Sequence, residues 1–317
     1  MKFCVTGASG LIGSYVVKLL KESGDYVRAV VHRREPNAFT RLADEVEWGD
    51  LGEPDGARHA VRGCDIVLSC AGITGGIGIV KIDPVSYVGP ATAITVNTLH
   101  AAHLEGVKSF GYLSSTTVYS AREELCVEGA LGPAPYPLYA GIGWSKRFLE
   151  QLCAYYSEKT GIATAIVRPS GAYGRFDNFD EGTSHVLPGL INRALALKPG
   201  EPFTLWGDGM DVRDIVHAED VARGLILATK ETAVRSSLAP FNIASGWAVT
   251  TWQLAEAVLA AVGSKAQIVC DPSKPSALKV RRVSIERARR ELGFEPRWSL
   301  RDGIADTIAW LRQREAQ

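Results

Sequence analysis

The sequence predicts an α/β fold: a doubly wound parallel sheet with a smaller, interleaved C-terminal lobe. Three observations predict it. Short β-branched runs alternate strictly with helical-period segments through the first half of the chain. A glycine triplet, Gly7, Gly10 and Gly13, follows the first of these runs and opens a long amphipathic segment. The 317 residues, 46% of them hydrophobic, exceed the size at which a single core usually stops growing, which favours two lobes.

The first strand is expected over 3–6 and the first helix over 11–23, where Leu11, Tyr15, Val16, Leu19 and Leu20 recur on one face. Between them, Gly7 permits a tight turn, Gly10 lets a pyrophosphate approach the backbone, and Gly13 lets the helix pack on the strand. Ser9, Leu11 and Ile12 complete the turn, and the free N–H groups of the helix N-terminus attract an anion. A dinucleotide is the expected first ligand. Further strands are expected at 27–32, 46–49, 66–70, 109–115 and 162–168, with helices near 53–62, 84–106 and 139–160. Strand–helix alternation of this kind places the ligand beyond the carboxyl ends of a Rossmann-type parallel sheet.

After Arg168-Pro169 the pattern loosens, with turns over 174–182 and a helix at 186–197. Residues 214–216 and 241–243 read as strands returning to the sheet, and helices near 250–261, 284–292 and 300–314 as caps on the smaller lobe. The expected division is a dinucleotide-binding domain over 1–170, with returning segments near 211–250, and a substrate-binding lobe over 171–210 and 251–317.

Lys+Arg and Asp+Glu both number 35. The arginines at 281–282 and 287–290 recur at helical intervals and read as a solvated helix face, so nucleic acid is not an expected partner. The start reads as a strand and no 18-residue apolar run follows, so neither a secretion signal nor a membrane span is expected and the location implied is cytoplasmic. Cys4, Cys64, Cys70, Cys126, Cys153 and Cys270 form no CxxC pair and have no histidine at ligand spacing. They read as reduced, mostly buried thiols, with no metal site.

An acid at the end of the second strand would hold the ribose of NAD, whereas arginine there accommodates the 2′-phosphate of NADP. Here that strand ends in His32-Arg33-Arg34, which favours NADP; NAD remains the alternative if these are ordinary exposed loop charges. Asp50, followed by Leu51, stands after the third strand, where it can face the adenine amino group. Ala71 and Gly72, after the fourth, are small enough to pass close to the nicotinamide ribose.

The motifs Thr6-Gly7-Ala8-Ser9-Gly10-Leu11-Ile12-Gly13, Ala71–Ile77, Asn97–His103, Leu113–Tyr119, Arg168–Gly174, Asp177-Asn178-Phe179, Ser184–Leu190 and Trp206-Gly207-Asp208-Gly209 through Arg213-Asp214 span nearly the whole chain. Through them it resembles the extended short-chain dehydrogenase/reductases of the NAD-dependent epimerase/dehydratase type, in particular the GDP-fucose synthase-like nucleotide-sugar reductases and epimerases. The resemblance implies a nicotinamide cofactor, a nucleoside-diphosphate sugar substrate, redox or epimerisation chemistry at the hexose ring, and a homodimer.

A hydride arriving at a ketone carbon leaves charge on oxygen, so a catalyst needs a proton donor and hydrogen bonds aimed there. The family uses Ser or Thr, Tyr, and a Lys four residues after the Tyr. Ser115 matches the first and Lys146 the last, which in the family also bonds the nicotinamide ribose. The residue four before Lys146 is Ile142, which cannot donate a proton. Tyr139, seven before Lys146, falls on the same face if the helix already runs there; Tyr136 is the other candidate. His185 matches the family's acid/base histidine, whereas Thr117 stands where GDP-fucose synthase has a cysteine and is a poor base, which puts double epimerisation in doubt. Val186, Arg193, Trp206 and Arg213 match substrate-binding positions: the arginines suit the diphosphate and Trp206 a base or sugar.

The leading expectation is therefore an NADP-dependent nucleotide-sugar reductase or epimerase. An epimerase retaining NAD, and a dinucleotide-binding sensor or scaffold that has lost catalysis with the tyrosine, are the alternatives.

Overall fold

The structure, a computed structural model, describes residues 1–73, 83, 85–120, 125–180, 182–235, 240–274 and 279–315. Its first half follows the β-branched runs and amphipathic segments in order. β1 (Lys2–Thr6) leads into α1 (Leu11–Glu22), and then come β2 (Tyr26–Val31), β3 (Glu45–Trp48), α2 (Pro54–Val61), β4 (Ile66–Ser69), α3 (Val88–Leu104) and β5 (Ser109–Leu113). β6 (Leu125–Cys126), α4 (Ala140–Thr160), β7 (Ala163–Pro169) and β8 (Gly171–Tyr173) follow, then α5 (Val186–Leu195), β9 (Phe203–Trp206), β10 (Val212–His217) and α6 (Ala218–Arg235). The chain closes with β11 (Phe241–Ile243), β12 (Ala248–Thr250), α7 (Thr251–Val262), β13 (Ile268–Asp271), β14 (Arg282–Val283), α8 (Glu286–Leu292) and α9 (Leu300–Glu315).

Seven parallel strands form the central sheet in the order β11-β7-β5-β4-β1-β2-β3. Strand order reverses between β1 and β4, and the crevice that such a reversal leaves at the carboxyl ends is where a dinucleotide sits in folds of this kind. Both faces are covered. Tyr15, Val16 and Leu20 of α1 and Val221, Leu225 and Ala228 of α6 bury one; Ala57 and Val61 of α2, Leu99 of α3 and Leu149 and Cys153 of α4 bury the other. A separate core joins α5, α7 and α9 through Leu187, Ile191, Leu254, Val258, Ile304 and Ile308.

Two expectations change, and one helix appears that was not expected. The segment 214–216 lies within a strand, but β10 pairs in parallel with β8 and antiparallel with β12, outside the central sheet; only β11 returns there, alongside β7. The helix expected at 284–292 exists as α8, yet Ala288 and the following Phe294 bury against the central-sheet core and not the smaller one. α6 has no counterpart in the sequence reading. It starts directly after β10 without a turn signal and carries Gly224 and two buried threonines, Thr229 and Thr232, so packing outweighs its modest propensity.

The six cysteines are free, with Cys4, Cys64, Cys126 and Cys153 buried. Among the described residues no cluster of His, Cys, Asp and Glu is arranged to hold a metal ion. No described helix is long and apolar enough to cross a membrane.

α6 sits against β5 at Gly111, where an added Cβ would come within 2.3 Å of Thr229 Oγ1 and 2.8 Å of Leu68 Cδ2. Gly111→Val therefore overpacks the sheet–helix contact and is expected to cost about 1–3 kcal/mol. Urea unfolding monitored by circular dichroism should show a lower midpoint at unchanged slope; an unchanged midpoint would mean that α6 is not seated there.

Candidate active site

At the switch point, the conformation of Gly7 (φ +63°) is one that side-chain-bearing residues adopt at a cost. A Cβ there would also lie 2.7 Å from Ala71 Cα, so the turn rests directly on the segment after β4, where Ala71 N–H donates to Thr6 Oγ1 at 3.1 Å. A Cβ on Gly13 would lie 2.2 Å from the Gly7 carbonyl oxygen, so only glycine brings α1 this close. Gly10 is the N-cap of α1 and makes no side-chain cap. An uncapped helix start behind a glycine cradle fits the pyrophosphate of a dinucleotide.

The loop after β2 fastens this cradle. Asn37 accepts from the Phe39 and Thr40 N–H groups and donates to Ser14 Oγ at 2.7 Å and the Ser9 carbonyl at 3.4 Å; Thr40 Oγ1 donates to the Ala8 carbonyl. Asn37 was not among the expected site residues, because nothing in the local pattern marks it. β2 ends at Val31, which leaves His32, Arg33 and Arg34 exposed beyond it. His32 Nε2 lies 3.6 Å from Asp50 Oδ2, and Leu51 is buried. Burial pushes the Asp177 carboxyl in the loop after β8 up to about 7, with the Asn178 N–H bond and the Arg34 charge opposing. Ala71 is half-buried and Gly72 exposed, whereas 74–77 of the matching motif lie outside the described residues.

A second group of side chains gathers at the end of β5. Ser115 caps a 3₁₀ turn (Thr116–Val118), its Oγ accepting from Thr117 N–H at 3.1 Å. Lys146 Nζ donates to the Leu113 carbonyl at 2.9 Å and lies 4.9 Å from the Tyr112 ring centroid. The same neighbourhood thus holds Ser115 and Lys146. Gly143 makes it possible, since a Cβ there would lie 2.4 Å from Pro135 Cβ and 2.7 Å from the Thr117 carbonyl oxygen. Burial draws Lys146 down to about 8, with the Glu150 carboxylate opposing. Thr117 Oγ1 is buried without a partner among the described residues.

Tyr139 is not inside the helix, as its seven-residue spacing from Lys146 required. It ends a 3₁₀ turn (Pro137–Tyr139) and is the N-cap of α4, which starts at Ala140. Burial raises its phenol, while Arg213 and Arg281 pull it down. Tyr136 packs 5.9 Å from Tyr139, centroid to centroid.

Arg213 donates to the Val212 carbonyl at 2.8 Å and to Asp211 Oδ2 at 3.1 Å. Arg281 overturns its reading as part of a solvated helix face. It lies ahead of β14, its N–H donates to the Val212 carbonyl at 3.1 Å, and its guanidinium is turned inward. Nη1 bonds the Thr116 carbonyl, and Nη2 is buried without a partner among the described residues. Arg287, Arg289 and Arg290 do lie on a helix, α8, paired with Glu286, Glu291 and Glu295. Only the pairing of this late segment with β10 distinguishes Arg281, and spacing carries no trace of it.

His185 is the N-cap of α5, exposed and without a side-chain cap, yet surrounding protein holds its imidazole below the ordinary value. Among the described residues no hydrogen bond joins it to Ser115, Tyr139 or Lys146. Val186 beside it is exposed. Arg193 donates to the Thr204 carbonyl at 2.6 Å and lies 5.5 Å from the Trp206 ring centroid, while Lys274 lies 6.0 Å from the same ring.

The sequence model of the NAD dependent epimerase/dehydratase family matches residues 3–244. GDP-mannose 3,5-epimerase 1 of Oryza sativa subsp. japonica is 26% identical over 99% of this chain and 82% of its own length. GDP-L-fucose synthase 1 of Arabidopsis thaliana is 29% identical over 98% of this chain and 92% of its own. The crystal structure of UDP-glucuronic acid 4-epimerase from Bacillus cereus, in complex with UDP-glucuronic acid and NAD, superposes with a TM-score of 0.82 at 26% identity, covering 99% of this chain and 100% of that one.

Proposed function

The chain belongs to the NAD dependent epimerase/dehydratase family, and on that premise we propose that it is an NADP-dependent reductase of a nucleoside-diphosphate 4-keto sugar, with epimerisation at one ring carbon at most. The observation that carries this reading is the meeting of Ser115 and Lys146 at the end of β5, with Tyr139, whose phenol is drawn down by the charges of Arg213 and Arg281, at the start of the same helix. Residues 1–170 with the segments near 211–250 would bind the dinucleotide, and 171–210 with 251–317 the sugar nucleotide.

Gly7, Ser9, Gly10, Leu11, Ile12 and Gly13 would hold the dinucleotide's pyrophosphate, Arg33 and Arg34 its 2′-phosphate, Asp50 its adenine, and Ala71, Gly72 and Lys146 its nicotinamide end. When bound, the cofactor supplies the two-electron chemistry at the sugar carbonyl carbon. The protein's own residues manage the oxygen and the protons. Ser115 Oγ donates to the carbonyl oxygen, whose developing charge the Lys146 ammonium stabilises. Tyr139 O–H delivers the proton, a transfer that the adjacent cations ease by favouring the phenolate left behind. Near pH 7 Lys146 is mostly an ammonium, since its ionisation lies at about 8.

Arg213, Arg281, Lys279 and Arg193 offer charge-assisted bonds to the diphosphate, and Trp206, with Arg193 and Lys274 beside its ring, offers a stacking face. Lys279 is already held near Arg213 by Asp208 and Asp211, at 2.9 and 3.3 Å. His185 serves one ring proton or orients the sugar. Inversion normally needs a second acid/base on the opposite face, and Thr117 is a poor one. Trp144, Phe148 and Tyr155 form an exposed apolar stripe at helical spacing on α4, which supports a homodimer.

Each arginine bond to a 2′-phosphate contributes roughly 1.5–3 kcal/mol, so NADPH should bind at least about tenfold tighter than NADH. Fluorescence titration measures both, and Arg33→Ala or Arg34→Ala should narrow the gap. Equal affinities in the unaltered protein would remove the NADP assignment.

With NADPH and a nucleoside-diphosphate 4-keto-hexose, Ser115→Ala should lower kcat by about 10² or more through loss of the bond to the oxyanion. Tyr139→Phe should lower it as well, leaving cofactor affinity intact. If Tyr139→Phe turns over at the full rate while Ser115→Ala does not, the proton comes from elsewhere.

A further inference from the structure

Behind Lys146 the fold buries a carboxylate to which the reaction above gives no part. Glu150, 4% exposed, follows Lys146 by one helical turn. Arg168 of β7, 2% exposed, grips it with two parallel bonds, Nε to Oε1 at 2.9 Å and Nη2 to Oε2 at 2.6 Å. Oε1 also accepts from Ser114 Oγ at 2.5 Å, and Ser114 immediately precedes Ser115. Arg168 Nη1 continues the chain to Tyr119 O–H and the Glu128 carbonyl, and Tyr119 O–H donates to Asn242 Oδ1 of β11. One carboxylate thus ties three elements together at the place where Ser115 and Lys146 meet.

A buried pair of this kind is not in itself evidence for stability, because the cost of desolvating two ions offsets most of their attraction. Its placement suggests another role. Resting on the assignment of Ser115 and Lys146 above, we propose that Glu150 is a positioning residue of the reaction: one carboxylate, clamped by Arg168, that anchors the backbone beside Ser115 and balances the Lys146 ammonium. Around that ammonium stand Tyr112 from β5 and Glu150 and Cys153 from its own helix, with Arg168 on the far side of Glu150. Glu150 is the nearby group whose negative charge favours the ammonium against burial, as the direction of its effect on Lys146 agrees.

The test reads Lys146 directly, by NMR titration of its ¹³Cε resonance in the full-length protein, assigned with Lys146→Arg. The Lys146 titration needs no substrate, so its outcome is independent of whether the proposed reaction is the right one; only the Ser114→Ala rate depends on that reaction. Glu150→Gln should move the Lys146 midpoint to lower pH by about one unit or more, and Glu150→Asp, which keeps the charge, should restore most of it. Because Glu150→Gln leaves Arg168 unbalanced, Glu150→Gln/Arg168→Gln is measured alongside and should show the same direction. Ser114→Ala should leave the midpoint in place and lower kcat several-fold at unchanged KM. A Lys146 midpoint unmoved in both glutamine variants, or wild-type kcat in Ser114→Ala, overturns the proposal. So does a double variant that fails to fold, which would make the pair a requirement of the fold alone.

Discussion

Parallel strands cannot return by hairpins, so every crossover delivers its chemistry to the same edge of the sheet. β1, β2, β4, β5 and β7 all end there, and the residues just past them are Gly7, His32, Cys70 with Ala71, Ser114 with Ser115, and Ser170. The glycine cradle and the Ser115–Lys146 neighbourhood are therefore products of one constraint. Within it, close backbone approach decides the details. Gly7 against Ala71, Gly13 against Gly7 and Gly143 against Thr117 each bring main chain nearer than any larger residue would allow.

Desolvation acts on each of the candidate site groups. It lowers Lys146 and His185 and raises Tyr139 and Asp177, so each group is pushed toward its neutral form. Local charges then correct the shift where it would be harmful: Glu150 for Lys146, and Arg213 with Arg281 for Tyr139. The chain has no net charge, and among the cations proposed for the substrate diphosphate Arg213 and Lys279 are already paired with Asp211 and Asp208.

How much was legible in the sequence depended on how local each signal is. The glycine turn and the parallel strands were readable because their spacing along a strand end or helix carries them, whereas the closeness of Ser115 to Lys146 was implied by the resemblance to the family motifs. α6 was hidden because its glycine and threonines suit a helix only when β5 and β11 lie underneath; Gly224 rests on Ile243. β10 was recognised as a strand but given the wrong neighbours, since nothing in its own residues distinguishes β8 from β7 as a partner. Arg281 was misread for the same reason: its neighbours Thr116 and Val212 are far away in sequence. Glu150 and Asn37 have ordinary local contexts, and their partners in the fold single them out.

Ile142 is the sharpest departure from the family pattern, and the account rests on Tyr139 taking the proton-donor role from that position. The most direct measurement is turnover of Tyr139→Phe/Ile142→Tyr against Tyr139→Phe alone, with NADPH and the 4-keto sugar nucleotide. A tyrosine returned to residue 142, one helical turn before Lys146, should recover activity by about tenfold or more. A double variant no faster than Tyr139→Phe would contradict the account, because the loss caused by removing the Tyr139 hydroxyl would then not be the loss of a proton donor.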